Sequence, residues 1–250
     1  MFKSSFLKGM LILPAAALVC AAANNSADRV PVLLELFTSE GCSSCPPADA
    51  LLMKLDQTQP VNGAQIIVLS EHVDYWNHLG WSDPFSSPQF SARQEAYARA
   101  LRADTYTPQL VIDGREQFVG SDAGAIQSAI AQEAARPKVP VKIVSAHREG
   151  SETVVTVSAP AGQGDIWIAL ADERDDSSVK RGENHGRTLQ HVAVVRRLVQ
   201  VGSMTPSQAF EKQIRLPLSP GAQSGGTRIV AFIASRGGPI VGASMTYLKP

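Results

Sequence analysis

Phe37-Thr38-Ser39-Glu40-Gly41-Cys42-Ser43-Ser44-Cys45-Pro46-Pro47-Ala48-Asp49 is the stretch on which the reading of this chain turns. Just before it, Val32-Leu33-Leu34-Glu35-Leu36-Phe37 is a short apolar run, the pattern of a buried strand. Just after it, Ala48, Leu51, Leu52 and Leu55 recur at helical spacing. The two cysteines therefore fall between a strand and a helix, and at this separation they can close a small disulfide ring. Cys42 also lies near unpaired backbone N–H groups and the positive end of the helix. Both favour its thiolate and lower its pKa below the free value of ~8.5. Prolines cost an established helix its hydrogen bonds, so the regular helix is expected to start near Pro46, with the cysteines in the turn leading into it. Two thiolates so placed also suit a soft metal, and that reading stays open.

Outward from the cysteines, strand and helix signals alternate. Gln65 to Leu69 reads as a second strand. Ser87-Pro88 reads as an N-cap with proline at the first helical position, followed by Phe90, Tyr97 and Leu101 on one face. Gln109 to Ile112, the turn Asp113-Gly114 and Glu116 to Val119 read as a hairpin. Ser121 or Asp122 then caps a helix carrying Ile126, Ala129 and Ile130. The expected order is β-α-β-α-β-β-α. Arg136-Pro137-Lys138-Val139-Pro140 reads as a boundary. Beyond it, strands are expected at Val141–Ala146, Thr153–Ala159, Asp165–Ala171, His191–Val201, Lys212–Leu218, Arg228–Ser235 and Ile240–Tyr247. Their number and spacing suggest an immunoglobulin-like β-sandwich.

Composition narrows the function. The 250 residues are 44% hydrophobic and 18% charged, an ordinary globular mixture. Lys+Arg and Asp+Glu both number 23, which gives no electrostatic case for nucleic acid as a partner. No Walker or Rossmann glycine pattern is present. Ser70-Glu71-His72 holds hydrolase residue types, but adjacent strand residues point to opposite faces and no G-x-S-x-G elbow accompanies them. Three cysteines are too few for a disulfide-stapled scaffold or a four-thiolate zinc site.

The odd cysteine has its own explanation. Residues 1–23 read as a secretory signal: Lys3 and Lys8, the apolar run Met10 to Cys20 broken only by Pro14, and Ala21-Ala22-Ala23 before Asn24. The run is short of the ~20 residues of a spanning helix. Lipid attachment at Cys20 is the alternative, though Val19 is larger than that signal wants. Cleavage removes Cys20 and two lysines, leaving one C-x-x-C pair and a slight acidic balance in an oxidising compartment, periplasmic or extracellular.

Thr107-Pro108, directly before Gln109-Leu110-Val111-Ile112, adds a second signal. With the C-x-x-C, it makes residues 24–136 resemble a thioredoxin-fold domain. That resemblance implies that Pro108 is a cis-proline packed near the disulfide and that Thr107 presents backbone hydrogen bonds to a peptide substrate. The stretch quoted at the outset is also similar to secreted thioredoxin-like proteins of domain of unknown function family 1223. So are His72-Val73-Asp74-Tyr75-Trp76, Gly80-Trp81-Ser82-Asp83-Pro84-Phe85, Arg93-Gln94, Tyr97-Ala98 and Tyr106-Thr107-Pro108-Gln109. In the second half, Arg181-Gly182-Glu183-Asn184 and Gly186-Arg187 extend the similarity. Two positions depart from the thioredoxin pattern: the buried acid is replaced by Leu36, with Glu35 on the other strand face, and the aromatic before the first cysteine by Gly41.

The expected architecture is thus a signal over 1–23, an α/β thioredoxin-like domain over 24–136 with an insertion before its second helix, and an immunoglobulin-like sandwich over 137–250. The expected function is thiol–disulfide exchange on protein or small-thiol partners, with Cys42 as nucleophile, Cys45 resolving, and Thr107 and Pro108 presenting the substrate. His72, Glu40 and Trp76 are candidate auxiliaries. No cofactor, resident metal, nucleic-acid partner or membrane span after cleavage is expected. Alternatives are a copper(I)-binding module using the thiolates with His72 or His78, and a scaffold with a static disulfide. The aromatic insertion is either a lid or a packed segment, with Trp81 and Phe85 read as packing. Arg181 to Arg187, with His185 and His191, reads as a solvated hairpin loop or an anion site.

Overall fold

The computed structural model describes residue 1 and residues 29–218, 226–235 and 238–248. Apart from its first residue, the expected signal lies outside the described residues, as do its cleavage site and Cys20.

The first half builds β1 (Val30–Thr38), α1 (Pro46–Thr58), β2 (Ala64–His72), α2 (Pro88–Leu101), β3 (Gln109–Ile112), β4 (Glu116–Val119) and α3 (Ala123–Ala134). A short 3-10 turn covers Asn77–Leu79. β1 and β2 run parallel, from Val30 opposite Ala64 to Thr38 opposite His72. Both are buried on two faces, which explains their continuous apolar character. Even-numbered β1 residues meet α1: Leu36 lies beside Ala48, and Thr38 bonds Asp49. Odd-numbered residues meet α2, where Glu35 pairs with Arg93. Ser87 caps α2 by accepting the Gln89 N–H, and Asp122 caps α3 by accepting the Ala125 N–H. Asp113 and Gly114 turn the β3–β4 hairpin with φ of 46° and 61°, the left-handed pair that a two-residue turn requires.

The second half contains β5 (Lys142–Glu149), β6 (Glu152–Ala159), β7 (Gly164–Ser178), β8 (Thr188–Met204), β9 (Phe210–Pro217), β10 (Thr227–Ala234) and β11 (Ile240–Leu248). All seven segments read as strands are strands. Their assembly differs from expectation.

An α/β thioredoxin-like domain followed by an immunoglobulin-like sandwich is not what forms. The protein is mostly β, and one eight-stranded mixed sheet runs through both halves in the order β11-β10-β7-β8-β2-β1-β3-β4. A three-stranded sheet, β5-β6-β9, accompanies it. The joint is β8. At 17 residues it is far longer than its apolar stretch, and it pairs with β7 along its length. Ala193 takes left-handed backbone (φ 51°), and at the next residue Val194 pairs in parallel with Ser70 of β2. Apolar runs identify strands but not their neighbours, so the run at β2 carried no sign that a distant strand would close its edge.

Packing follows the shared sheet. Ile166, Ile168 and Leu170 of β7, with Ile229, Ala231 and Ile233 of β10, face Val155, Val157 and Leu216 of the small sheet. The alternate residues Ala169, Ala171, Val230 and Phe232 join Leu34, Leu52, Ile67 and Ile130 in one core that includes both halves. The segment read as a boundary is tied to the rest: the Val139 N–H bonds the Val241 carbonyl at 2.7 Å, and Lys138 pairs with Asp113.

Candidate functional site

Cys42 and Cys45 form a disulfide with Cα atoms 5.4 Å apart. The turn that holds them is built from backbone bonds: Cys42 N–H to the Ser39 carbonyl and Cys45 N–H to the Cys42 carbonyl, both 3.2 Å. Cys45 is the N-cap of α1 and Pro46-Pro47 occupy its first positions, where missing N–H groups cost least. The Cys45 N–H, one of the backbone groups near Cys42, is paired with the Cys42 carbonyl.

The Thr107–Pro108 peptide bond is cis. Pro108 is buried beside α1: a Cβ placed on Gly120 would meet Leu36, Ala48 and Pro108 within 3.2 Å, so only glycine lets these approach. Trp76 connects this loop to the cysteine turn. Its indole N–H donates to the Thr107 hydroxyl at 2.8 Å, and its Cβ abuts Gly41. That contact gives Gly41 a reason: a Cβ there would stand 3.1 Å from Trp76 Cβ and force the indole side chain to shift.

Beneath the turn lies a buried acid–base cluster. Asp83 Oδ2 accepts from the Glu40 N–H at 2.8 Å and stands 2.7 Å from His72 Nδ1. Glu40 accepts from the Trp81 indole at 2.7 Å and from the Ser177 hydroxyl, and faces His191 Nε2 at 3.4 Å. Asp49, one helical turn after Cys45, accepts from the Thr38 hydroxyl at 2.9 Å and lies 3.8 Å from His191 Nδ1. The His72 and His191 rings meet edge-on with centroids 4.7 Å apart, and Phe85 packs on both. Among the described residues, neither His191 nitrogen has a hydrogen-bond partner, nor does His72 Nε2. Burial would pull the His72 pKa down, but Asp83 outweighs it and the net direction is up. Burial likewise opposes ionisation of Asp83, where His72 wins and holds the carboxyl below its ordinary value. For Asp49 burial prevails over His191 and His72, and its pKa rises.

The cysteine turn is covered by the β7–β8 tip, residues 179–187. Asn184, fully buried, donates its Nδ2 to the carbonyls of Glu40 and Cys42, each at 2.9 Å. Glu183 accepts the Ser43 N–H at 2.9 Å. Both cysteines are 0% exposed.

The structure thus brings Cys42, Cys45, Thr107, Pro108, Trp76, Glu40 and His72 to one end of the sheet. His78 is exposed on the insertion. The insertion packs: Phe85 is buried on the two histidines and under Arg196, and Trp81 anchors to Glu40. The tip read as a solvated loop supplies the buried Asn184. Ser177 carried no signal in the sequence; Asp49, Asp83 and Asn184 stood in the family-like motifs and His191 in the loop weighed as an anion site, with no role assigned to any of them beside the cysteines. Among the described residues no group of three or more His, Cys, Asp or Glu side chains stands where it could hold a metal ion, and no helix is long and apolar enough to cross a membrane.

An X-ray structure of a protein from Agrobacterium tumefaciens is similar, with 33% identity over 88% of this chain and 95% of that one, at a TM-score of 0.66. A DUF3823 family protein from Bacteroides ovatus (14% identity, 45% of this chain, 56% of that one) and the sporulation control protein Spo0M from Bacillus subtilis (15%, 44% and 47%) reach TM-scores of 0.31 and 0.30, too low to bear on the fold. No curated protein matches the sequence. Residues 33–234 match the family model described as protein of unknown function (DUF1223), and the chain belongs to that family.

Proposed function

We propose that this protein is an exported thiol–disulfide oxidoreductase whose working group is the Cys42–Cys45 pair. The observation that carries the reading is the placement of the closed disulfide at the start of α1, bridged by Trp76 to the cis Thr107–Pro108 loop. In the reduced form, Cys42 thiolate attacks a substrate disulfide. A bond forms between Cys42 Sγ and one substrate sulfur, and the other leaves as a thiolate and takes up a proton. Cys45 then loses its proton and attacks Cys42 Sγ. The mixed disulfide breaks, the second substrate sulfur leaves, and two electrons have passed to the substrate. The reverse sequence begins from the disulfide described above. Export rests on the pattern of residues 1–23 and the need for an oxidising compartment.

Complete burial of both cysteines favours a second reading, a structural disulfide in a scaffold protein. One experiment separates the two: the reduction potential of the pair, with turnover on an insulin-like disulfide substrate. The oxidoreductase reading expects a potential above about −300 mV and loss of turnover in Cys42→Ser. A potential below that value, or undiminished turnover in the variant, would reject it.

A further inference from the structure

The tip of the β7–β8 hairpin closes over the cysteine turn with bonds that all converge on residues 40–43. One amide nitrogen, Asn184 Nδ2, serves the carbonyls of both Glu40 and Cys42. The Asn184 carbonyl in turn accepts from Arg187 Nη1 at 2.9 Å, which fixes the orientation of the amide. Gly182, at φ 75°, lies against Trp81, where a Cβ would come within 3.1 Å. Both roots of the hairpin, Ser177 on β7 and His191 on β8, face the Glu40 carboxylate. The residue before the cysteine turn thus holds the hairpin at tip and base.

We propose that Asn184 is the gatekeeper of the disulfide, and that the partner admitted when it lifts is an extended cysteine-bearing polypeptide segment. The proposal rests on the oxidoreductase reading and names its substrate class. Both cysteines are buried, and the tip is bonded across the backbone of their turn, so its lifting is the opening proposed for an incoming thiol. Moving it leaves the buried Glu40 carbonyl without a donor and the Cys42 carbonyl with the Cys45 N–H alone, and a buried carbonyl left without a partner is costly. A polypeptide carries amide donors along its length and can restore those bonds as it enters. A small dithiol lacks them and must wait for spontaneous opening. Asn184 touches neither sulfur, so its role is access and not chemistry.

The test compares rates of disulfide reduction by dithiothreitol and by an unstructured peptide bearing two cysteines, in the wild type, Asn184→Asp, Asn184→Ala and Glu183→Ala. Losing the shared donor should speed reduction by dithiothreitol about tenfold in both Asn184 variants. The peptide rate should change far less, so the peptide-to-dithiothreitol ratio falls. Glu183→Ala, at an exposed position that loosens only Ser43, should shift the ratio the same way by a smaller factor, and it serves if the buried substitutions do not fold. Dithiothreitol rates unchanged in folded variants would overturn the gate. Peptide rates rising in parallel would overturn the polypeptide assignment. The equilibrium potential, measured with the same dithiol, judges the oxidoreductase reading without reference to these rates.

Discussion

Two clusters of buried charge lie on opposite faces of β1 and β2, and they are built differently. On the α2 face, Glu35 is held by the Arg93 guanidinium at 2.6 Å and by the Tyr97 hydroxyl, with Glu71 3.6 Å from Arg93. Three aromatic rings, Tyr97, Trp167 and Phe232, surround that guanidinium at 5.0 to 5.6 Å. On the α1 face, Glu40, Asp49 and Asp83 are opposed, among the described residues, by the imidazoles of His72 and His191. A guanidinium keeps its charge at every pH a protein meets, whereas an imidazole changes charge near neutrality. The first cluster is a fixed counter-ion that pins α2 to the sheet. Burial and the neighbouring Glu35 push the Glu71 carboxyl well up, so the first cluster holds a perturbed acid too; what sets the second apart, under the disulfide, is that its counter-ions are imidazoles.

The largest effect should come from removing the fixed cation. Arg93→Leu leaves Glu35 buried and unpaired, and chemical denaturation should show a loss of about 3–5 kcal/mol. A loss under about 1 kcal/mol would mean that the cluster is hydrated and the contrast false. The next effect is a pH dependence. His72 is raised in the folded state, so its pairing stabilises fully below about pH 6.5, and the benefit is lost as pH rises through the folded value. Asp83 is lowered, so its share is present above about pH 3.9 and is lost as pH falls through its folded value. Both contribute between about pH 4 and 6.5. The thermal midpoint of the wild type should therefore fall from pH 6 to 8, and His72→Gln should flatten that fall. An equally steep decline in the variant would assign it to another group. The smallest effect sharpens the α1 face alone. Thr38→Val removes one hydrogen bond from Asp49 and should cost about 1 kcal/mol in the same denaturation assay, and because that bond also lowers the Asp49 pKa, the variant should lose more stability as pH rises through the Asp49 titration.

Much of this was legible locally. Ser87-Pro88, Asp113-Gly114 and Asp122 announce a cap, a turn and a cap through the chemistry of single residues. Leu36 and Glu35 sort to opposite faces because strand residues alternate. What was not legible is long-range. The strand expected at Asp165–Ala171 stops where its apolar pattern does, yet β7 continues through Glu173-Arg174-Asp175-Asp176 to Ser178. The thioredoxin-like assignment went wrong for the same reason: element order within residues 30–134 does not say that β2 will be joined by β8. Asn184 and His191 belong to the site through contacts across more than half the chain, so the motif around Asn184 and the loop reading that included His191 carried no sign of the cysteines.

The pairing of Ser70 with Val194 also makes the two halves mutually dependent. A chain ended after Arg136 would keep Cys42, Cys45 and Pro108. It would expose the outer edge of β2 and lose Asn184, Ser177 and His191. What remained would be a naked disulfide over an unbalanced set of acids, beside an open strand edge able to recruit another chain. The cysteine pair is thus jointly owned: one half of the polypeptide supplies the sulfurs, and the other supplies their cover and part of their proton environment.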